Sequence, residues 1–421
     1  MRADRRVYTA RWVFPVDAPP IEGGVVVVEG GRIGRVGPGG GERVDHDFGD
    51  AAIVPGFVNA HTHLELSALE GDTPGVVEDQ IHWLGRVIRQ RVARGGAGLA
   101  EAVATNLADA IAAGTTALAD TTTAGLSWPA LAAAPIRSVV FSEVIGLRPA
   151  RGEQTLGDAL RWLGSVSPTD RARPGLSPHA PYSTAGGLYA RAAAVGAPIS
   201  THLAELPEER ELLQTRGGRL RTFLEDLGAW DDAWEPVGPG PEDYLLGPSM
   251  AAADVLVAHG TYLDPACLDR PRPEGGRRVA VAYCPRTTAR LGHGPHPYRE
   301  LLARGAVVCL GTDSRASSPS LSILDEARDL HRRDPSLGGA DLLRMATLAG
   351  AWALRLDHLC GSLTPGKSAD MAVVALPGRA EADPHRLLWA SDRPVVATLF
   401  AGRDVAAGHS LAGVKTRAIV A

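Results

Sequence analysis

Residues 55–63 read Pro-Gly-Phe-Val-Asn-Ala-His-Thr-His, and the rest of the chain can be placed around this stretch. The Pro-Gly pair predicts a turn, and the apolar residues after it predict the start of a buried strand. Side chains two apart in a strand point to the same face, so His61 and His63 are expected to project together from the strand end. Two imidazoles on one rigid strand make half of a four-ligand divalent metal site. For this pair alone, ordinary polar strand residues are the alternative.

The composition is that of an ordinary globular protein. Of 421 residues, 45% are hydrophobic and 22% are charged, and the formal net charge is -5. That charge, without a lysine or arginine block, makes nucleic acid an unexpected partner. No apolar stretch has the length of a signal peptide or a membrane span, so we expect a cytoplasmic protein without a membrane partner. The four cysteines include no Cys-x-x-Cys pair, which fits a reducing compartment and disfavours a cysteine-ligated zinc.

Both ends of the chain are rich in short β segments separated by glycine turns, and neither is long enough for a core of its own. We expect them to combine into one small β domain. Between them, eight apolar strand-like runs alternate with helical stretches over roughly 300 residues, which is the size of a (β/α)8 barrel. These runs are the His61 strand and residues 115–120, 138–144, 175–179, 198–202, 255–259, 279–284 and 307–313.

Polar residues follow these runs where a barrel active site would need them, since all strand ends open on one face. They are His179, His202, His259 and Asp313. One such histidine is usually structural, but five histidines and an aspartate indicate a metal centre. Glu205, three residues after His202, is placed to move protons beside an activated water. The alternative for Glu205 is a helix-starting glutamate favoured by the helix dipole.

Five motifs now form a family pattern. They are residues 55–63, His-Leu-Ala-Glu at 202–205, Ala-His-Gly at 258–260, Leu-Gly-Thr-Asp-Ser at 310–314 and Gly-Ser-Leu-Thr-Pro-Gly-Lys-Ser-Ala-Asp at 361–370. The chain resembles the amidohydrolase superfamily, in its cytosine deaminase/chlorohydrolase-like branch. The resemblance implies a distorted (β/α)8 TIM barrel over residues 53–365, with a β-sandwich domain built from residues 1–52 and 366–421.

The same resemblance implies a metal-dependent aminohydrolase that removes an amino group from a cyclic amidine. One divalent metal, with zinc expected and iron as the alternative, would be held by His61, His63, His202 and Asp313. Asp313 would also accept a proton from the attacking water. His259 would hold that water or the oxyanion, and Glu205 would protonate the ring.

The expected number of metals follows from the scarcity of lysine. Binuclear members of the superfamily commonly use a carboxylated lysine on strand four, but Lys367 and Lys415 are the two lysines here and both lie beyond strand eight. Strand four ends in His179 instead. A bridging glutamate is the other route, and Glu143 is the candidate. We expect one metal.

The substrate is less sharply indicated. Residues 61–67 and 177–183 are most similar to aminodeoxyfutalosine deaminases, which implies 6-aminodeoxyfutalosine as substrate and a role in menaquinone biosynthesis. That molecule carries an adenine, a ribose and a benzoate. The candidates to bind them are Glu65 for ribose hydroxyls or as a loop brace, His179 for the purine or as a support, Arg148, Arg151 and Arg286 for the carboxylate, and Trp83 for an apolar wall. Residues 207–250 form a long connection, predicted as a lid over the substrate or as a contact with a neighbouring subunit.

Two other functions stay open. One is hydrolysis of another C–N or C–Cl bond, with guanine, S-adenosylhomocysteine, a pterin, a triazine or an imidazolone as substrate. The other is a non-catalytic binding protein on this scaffold, which would typically have lost metal ligands that this chain keeps. The expected partner is a small molecule, and a homo-oligomer is possible.

Overall fold

The computed structural model describes residues 4–67, 69, 75–77, 79–247, 250, 253–269 and 278–406. Its first part is a series of short strands joined by tight turns. Seven strands precede the central body: β1 (Arg5–Thr9), β2 (Trp12–Val13), β3 (Ile21–Glu22), β4 (Gly24–Glu29), β5 (Arg32–Pro38), β6 (His46–Asp47) and β7 (Ala51–Pro55).

The central body is an eight-stranded parallel sheet whose strands neighbour one another in sequence order. Its strands are β8 (Phe57–Thr62), β9 (Thr115–Thr122), β10 (Arg137–Val144), β11 (Ala172–Pro178), β12 (Ile199–Leu203), β13 (Val255–His259), β14 (Val279–Tyr283) and β15 (Val307–Leu310). Each falls on one of the eight predicted runs. The strands are almost wholly buried, as expected where helices cover a parallel sheet.

The sheet closes on itself where the chain passes from β15 to the loop after it. The backbone N–H groups of Thr312 and Asp313 donate to the carbonyl of His61 at 3.1 and 3.0 Å. Gly311 is needed at this seam, because a Cβ there would lie 2.9 Å from the Cβ of His61. The Asn59 amide bridges the same seam, donating to Thr312 Oγ1 at 2.7 Å and accepting from its N–H. The predicted distorted (β/α)8 barrel is confirmed.

After the barrel come β16 (Met371–Ala375), β17 (Val395–Phe400) and β18 (Arg403–Asp404). The chain ends together build a four-stranded sheet, β5-β4-β1-β6, and a six-stranded sheet, β18-β17-β16-β7-β2-β3. Buried side chains from both sheets, among them Tyr8, Ile33, Ile53 and Val373, share one apolar core. The small β domain formed by both chain ends is therefore present. Its predicted bounds stay a prediction: β7 reaches Pro55, and the predicted residues 407–421 lie outside the described ranges.

Thirteen helices accompany the described strands, most of them packed around the barrel. They are α1 (Gln80–Ala112), α2 (Trp128–Ala133), α3 (Pro149–Ser165), α4 (Gly186–Ala194), α5 (Pro207–Thr215), α6 (Gly218–Asp226), α7 (Pro241–Leu246), α8 (Pro285–Arg290), α9 (Tyr298–Ala303), α10 (Ile323–Arg333), α11 (Gly339–Ala346), α12 (Leu348–Ala353) and α13 (His385–Trp389). Within the described ranges, no helix combines the length and apolar character needed to cross a membrane.

Candidate active site

The barrel brings the predicted strand-end residues together. His61, His63, His202, His259 and Asp313 are all at least 92% buried at the carboxyl ends of β8, β12, β13 and β15. His259 and Asp313 adopt left-handed backbone conformations, with φ of 66° and 55°. Such conformations are costly for residues other than glycine and cluster at functional sites.

Two overlapping triads share His61. The ligand atoms of His61, His63 and His202 lie within 4.8 Å of one another, and so do those of His61, His259 and Asp313. Asp313 Oδ1 lies 3.7 Å from His61 Nε2 and 3.8 Å from His63 Nε2. Each of the four predicted ligands therefore belongs to at least one of these triads, and His259 belongs to the second.

The electrostatics of this cluster suit a cation. Burial, followed by the neighbouring imidazoles, holds the pKa of His61 and His63 well below the ordinary value, and lowers that of His202 to about 3. The rings are therefore neutral and keep a lone pair each. His202 Nδ1 faces the carbonyl of His179 at 3.2 Å, which places its proton on Nδ1 and turns the Nε2 lone pair toward His63 Nε2, 3.0 Å away. His61 Nε2 is buried without a hydrogen-bond partner among the described residues. A divalent cation would satisfy these nitrogens, so the donor set fits zinc.

The two acidic residues of the site both lie close to His259. Glu205 Oε1 is 3.6 Å from His259 Nε2. Asp313 Oδ2 accepts from the Ser317 hydroxyl at 2.6 Å. Burial, reinforced by the charge of Glu205, raises the pKa of Asp313 to about 7. A carboxyl group with such a pKa can exchange protons near neutral pH.

These groups open onto a cavity of about 580 Å³. We call it the catalytic cavity. Its wall is largely apolar and comes from helices α1 and α6 and from the loop before α3. Its lining includes Glu65, Trp83, Leu84, Val87, Ile88, Arg91, Glu143, Leu147, Arg148, Arg151, His179, Tyr182, Glu205, Phe223, Leu224 and Leu227. Five of the six candidate substrate-binding residues, Glu65, Trp83, Arg148, Arg151 and His179, therefore face one cavity with the catalytic groups.

Arg286, the sixth, is not among the residues that line this cavity. Its guanidinium donates to Ser320 at 2.8 Å and lies 3.6 Å from Asp325 and 3.9 Å from Glu326. The chain turns into α8 at Pro285, directly before this residue, and the ion pairs with α10 hold the side chain there. The prediction for Arg286 is corrected accordingly.

Comparison with known proteins agrees with this geometry. Residues 52–405 match the model of the amidohydrolase family. The chain belongs to the amidohydrolase family. It is 30% identical over 86% of its length to a 5-methylthioadenosine/S-adenosylhomocysteine deaminase of Moorella thermoacetica, of which 83% is covered. The predictions of this family and of an aminohydrolase are confirmed.

Solved structures show the same fold. The Helicobacter pylori aminofutalosine deaminase in complex with methylthio-coformycin superposes with a TM-score of 0.80 at 21% identity, covering 95% of this chain and 100% of that one. An adenosine deaminase from Xanthomonas campestris with bound zinc gives a TM-score of 0.76 at 23% identity, covering 94% and 92%.

One charged residue of this amidohydrolase's cavity was not predicted. Arg91, on α1, lies 2.7 Å from Glu65 Oε1 and 3.8 Å from Glu143 Oε2. Glu65 is also held by Thr122 Oγ1 at 2.6 Å and Thr123 Oγ1 at 3.1 Å. Glu65 thus braces the loop after β8 while facing the cavity, so both of its predicted roles remain compatible. Since Arg91 is already the cation beside Glu143, a second metal there would meet a positive charge, which supports a single metal.

Two buried acids position the catalytic segments and were also missed. Asp120 on β9 accepts from the Leu64 N–H at 2.8 Å and from the Thr62 hydroxyl at 3.0 Å, fixing the segment that carries His61 and His63. Glu209 on α5 accepts from the N–H of Ala204, which has a left-handed φ of 53°, at 3.0 Å. This bond fixes the turn immediately before Glu205. Glu209 lies four residues after Glu205 in the sequence, but nothing in the local sequence distinguishes it from the nearby Glu208 and Glu211.

The segment predicted as a lid covers part of the catalytic cavity. Phe223 and Leu224 of α6, and Leu227 to Ala229 after it, contribute to the lining. Arg148 Nε donates to the Trp230 carbonyl at 2.8 Å, which ties the segment to the barrel. Arg219 of α6 pairs with Asp79, before α1, at 2.6 Å. Residues 248–249 at its end lie outside the described ranges.

Proposed function

We propose that the protein hydrolytically deaminates the adenine of a nucleoside-like substrate, with 6-aminodeoxyfutalosine as the leading substrate. One observation carries the proposal. His63, His202, His259 and Glu205 share a cavity of about 580 Å³ that has an apolar wall and three arginines, Arg91, Arg148 and Arg151. The reaction would release ammonia and leave a hypoxanthine, in a cytoplasmic route to menaquinone.

The roles of the protein's groups follow from their positions. A divalent cation, for which we propose zinc held by His61, His63, His202 and Asp313, would supply Lewis-acid activation of water. Asp313, whose Oδ1 lies 3.8 Å from His63 Nε2, accepts a proton from the attacking water. Glu205 delivers a proton to the ring nitrogen next to the attacked carbon, so that charge does not accumulate on the ring. His259 is neutral, because burial lowers its pKa to about 4, and it orients the water or the developing oxyanion.

The cavity supports a substrate larger than a free base. Its volume lies in the range that encloses a drug-sized molecule. Trp83, Leu84 and Leu147 offer an apolar wall, and the guanidinium groups of Arg148 and Arg151 can pair with a carboxylate. A benzoate-bearing nucleoside meets both requirements.

The second candidate is S-adenosylhomocysteine or 5-methylthioadenosine, the substrates in the name of the Moorella thermoacetica relative, which aligns along most of this chain. The first of these also carries a carboxylate, whereas the second ends in an apolar methylthio group. Because Arg148 and Arg151 favour a substrate with a carboxylate, we expect 5-methylthioadenosine to be the poorest of the three substrates.

The test is ammonia release by zinc-loaded protein from 6-aminodeoxyfutalosine, S-adenosylhomocysteine, 5-methylthioadenosine, adenosine, guanine and cytosine. We expect the highest kcat/KM for the first. Glu205→Gln should reduce kcat roughly 10²–10⁴-fold, because it removes the proton donor. Glu211→Gln, an exposed glutamate on the neighbouring helix α5, is the matched control and should retain activity.

Each outcome has a distinct consequence. A preference for S-adenosylhomocysteine would replace the leading substrate but leave the deaminase assignment standing. Zinc-bound protein that releases no ammonia from any of the six would overturn the proposal and favour another C–N or C–Cl bond. Turnover undiminished in Glu205→Gln would remove the assigned proton donor.

A further inference from the structure

A second cavity of about 400 Å³ opens at the amino ends of the barrel strands, opposite the catalytic cavity. We call it the lower cavity. Its lining comes from the starts of β10 to β13, from the turn before β12 and from the end of α12: Val139, Phe141, Arg173, Ala193, Gly196, Ala197, Pro198, Ile199, Ala253, Asp254, Leu256, Ala353, Leu354 and Arg355. Among the described residues, none lines both cavities.

The lower cavity carries an excess of positive charge. Among its described lining residues, Arg173 and Arg355 face a single carboxylate, that of Asp254. Asp254 is already engaged, because it pairs with Arg355 Nε and accepts from the N–H of Arg278 at 2.8 Å. The carboxylate thus neutralises one of the two guanidinium groups and leaves the other unmatched.

Arg173 is the unmatched cation. One of its terminal nitrogens donates to the Leu354 carbonyl, but its Nε is buried without a hydrogen-bond partner among the described residues. Burial, followed by the charge of Arg355, lowers the pKa of Arg173. A buried guanidinium N–H without an acceptor, in a cavity lined by a second arginine, calls for an acceptor that also brings negative charge.

Arg355 occupies a position that its side chain does not favour. It follows α12 in a left-handed conformation, with φ of 52°, where helices usually end in glycine or asparagine. An arginine in such a strained backbone conformation points to a function for its side chain. The guanidinium of Arg355 pairs with Asp254 at the rim of the lower cavity, and the side chain remains half exposed.

We propose that the lower cavity binds a small organic anion, with its carboxylate or phosphate oxygens between Arg173 and Arg355 and its apolar body against Phe141, Ile199 and Leu256. The paired guanidinium groups supply planar, charged donors that match such oxygens. The apolar floor, formed by the same strands that carry the catalytic residues at their other ends, favours an anion with a hydrocarbon part over a bare ion.

Calorimetric titration of the zinc-loaded full chain tests the site, with benzoate, neutral benzamide and inorganic phosphate as probes. We expect benzoate to bind, and to bind at least tenfold more weakly to Arg173→Gln and to Arg355→Gln. Ala193→Leu, which narrows the cavity without changing charge, should weaken benzoate in the same way. Because the catalytic cavity also contains arginines, Arg151→Gln reports any benzoate bound there. The exposed Arg161→Gln on α3, which lines neither cavity, is the matched control and should leave benzoate binding unchanged.

The outcomes decide the proposal without any use of turnover, so they are independent of the proposed deaminase activity. Benzoate bound equally by wild type, Arg173→Gln and Arg355→Gln, or lost in Arg151→Gln alone, would overturn it. Equal affinity for benzoate and benzamide would show that the site does not recognise negative charge. Binding of phosphate but not of benzoate would overturn the proposal that the ligand is an organic anion. Should Arg173→Gln lower the Tm markedly, Arg355→Gln at the more exposed position decides the result.

Discussion

The two ends of the barrel carry different sets of polar side chains on the same four strands. β10 ends in Glu143 at the catalytic cavity and begins with Val139 and Phe141 at the lower cavity, and β12 runs from Ile199 below to His202 above. His202 lies three positions after Ile199 on β12, which is a distance of roughly 10 Å along the strand. The upper end gathers neutral imidazoles and carboxyl groups at the strand ends, with Arg91, Arg148 and Arg151 in the surrounding wall, whereas the described lining of the lower end has Arg173 and Arg355 against one carboxylate. On our two proposals, one scaffold binds a cation and an organic anion through separate openings.

Metal removal should produce the largest difference between the two ends. Dialysis against a chelator is expected to abolish deaminase turnover and to lower the Tm, because buried histidines lose the ion that satisfies them. Zinc should restore both. The metal content, measured by plasma mass spectrometry, should be one equivalent per chain.

The lower end provides the control for that experiment. Arg355→Gln should retain its metal and lose no turnover, because Arg355 does not line the catalytic cavity. Two equivalents of metal per chain would contradict a single site and would bring Glu143 back as a bridging ligand. A chelated protein with full turnover would refute metal dependence.

The cation site was predictable from sequence because its residues stand at the ends of apolar runs. His61, His202, His259 and Asp313 each follow or end a strand, and in a parallel barrel strand order alone brings such ends to one face. No knowledge of side-chain packing was needed. The same regularity placed all eight strands, including the closing pair β8 and β15.

The anion site and the positioning acids were not predictable in this way. Arg173 and Arg355 lie 182 positions apart and meet through the packing of α12 against the barrel, which no local pattern encodes. Arg91 is one of 41 arginines, and only its ion pair with Glu65 distinguishes it. Arg286 was a candidate to bind the substrate carboxylate, but its ion pairs with α10 direct its side chain elsewhere.

Removing a positioning acid should have an intermediate effect confined to the catalytic end. Glu209→Ala leaves the Ala204 N–H without its acceptor, and displacement of Glu205 by about 1 Å is expected to reduce kcat roughly 10–100-fold. Glu209→Gln retains an oxygen acceptor and should restore most of the kcat. Steady-state kinetics of both variants, with metal content measured in parallel, checks this.

Further measurements on the two Glu209 variants distinguish a displaced Glu205 from a general loss of structure. Zinc content and benzoate affinity should stay at wild-type levels in both Glu209 variants, because neither site contacts this side chain among the described residues. If Glu209→Gln lost as much kcat as Glu209→Ala, the charge of Glu209 rather than its acceptor oxygen would be the important property.

The smallest expected effect concerns a buried carboxyl group at the upper end. Glu326 on α10 is fully buried, accepts from the Arg286 N–H at 2.8 Å and the Ser318 hydroxyl at 3.2 Å, and has its pKa raised by burial to about 8. A pKa above the unfolded value means that its stabilising contribution is complete below about pH 4.5 and is lost as the pH rises through about 8.

Glu326→Gln stays neutral throughout that window, so its free energy of unfolding should improve relative to wild type as the pH rises. We expect the difference to grow by on the order of 1–3 kcal/mol between pH 5 and pH 8, since one pKa unit corresponds to about 1.4 kcal/mol. Urea unfolding at four pH values measures it, with the exposed Glu300→Gln as control. Parallel curves for wild type and Glu326→Gln would show that Glu326 ionises freely, and that Arg286 compensates its burial. Glu326 would then show that the upper end tolerates a buried negative charge, as the lower end is proposed to tolerate the buried charge of Arg173. The two ends would then differ in the ligands that they bind, and not in how well they tolerate a buried charge.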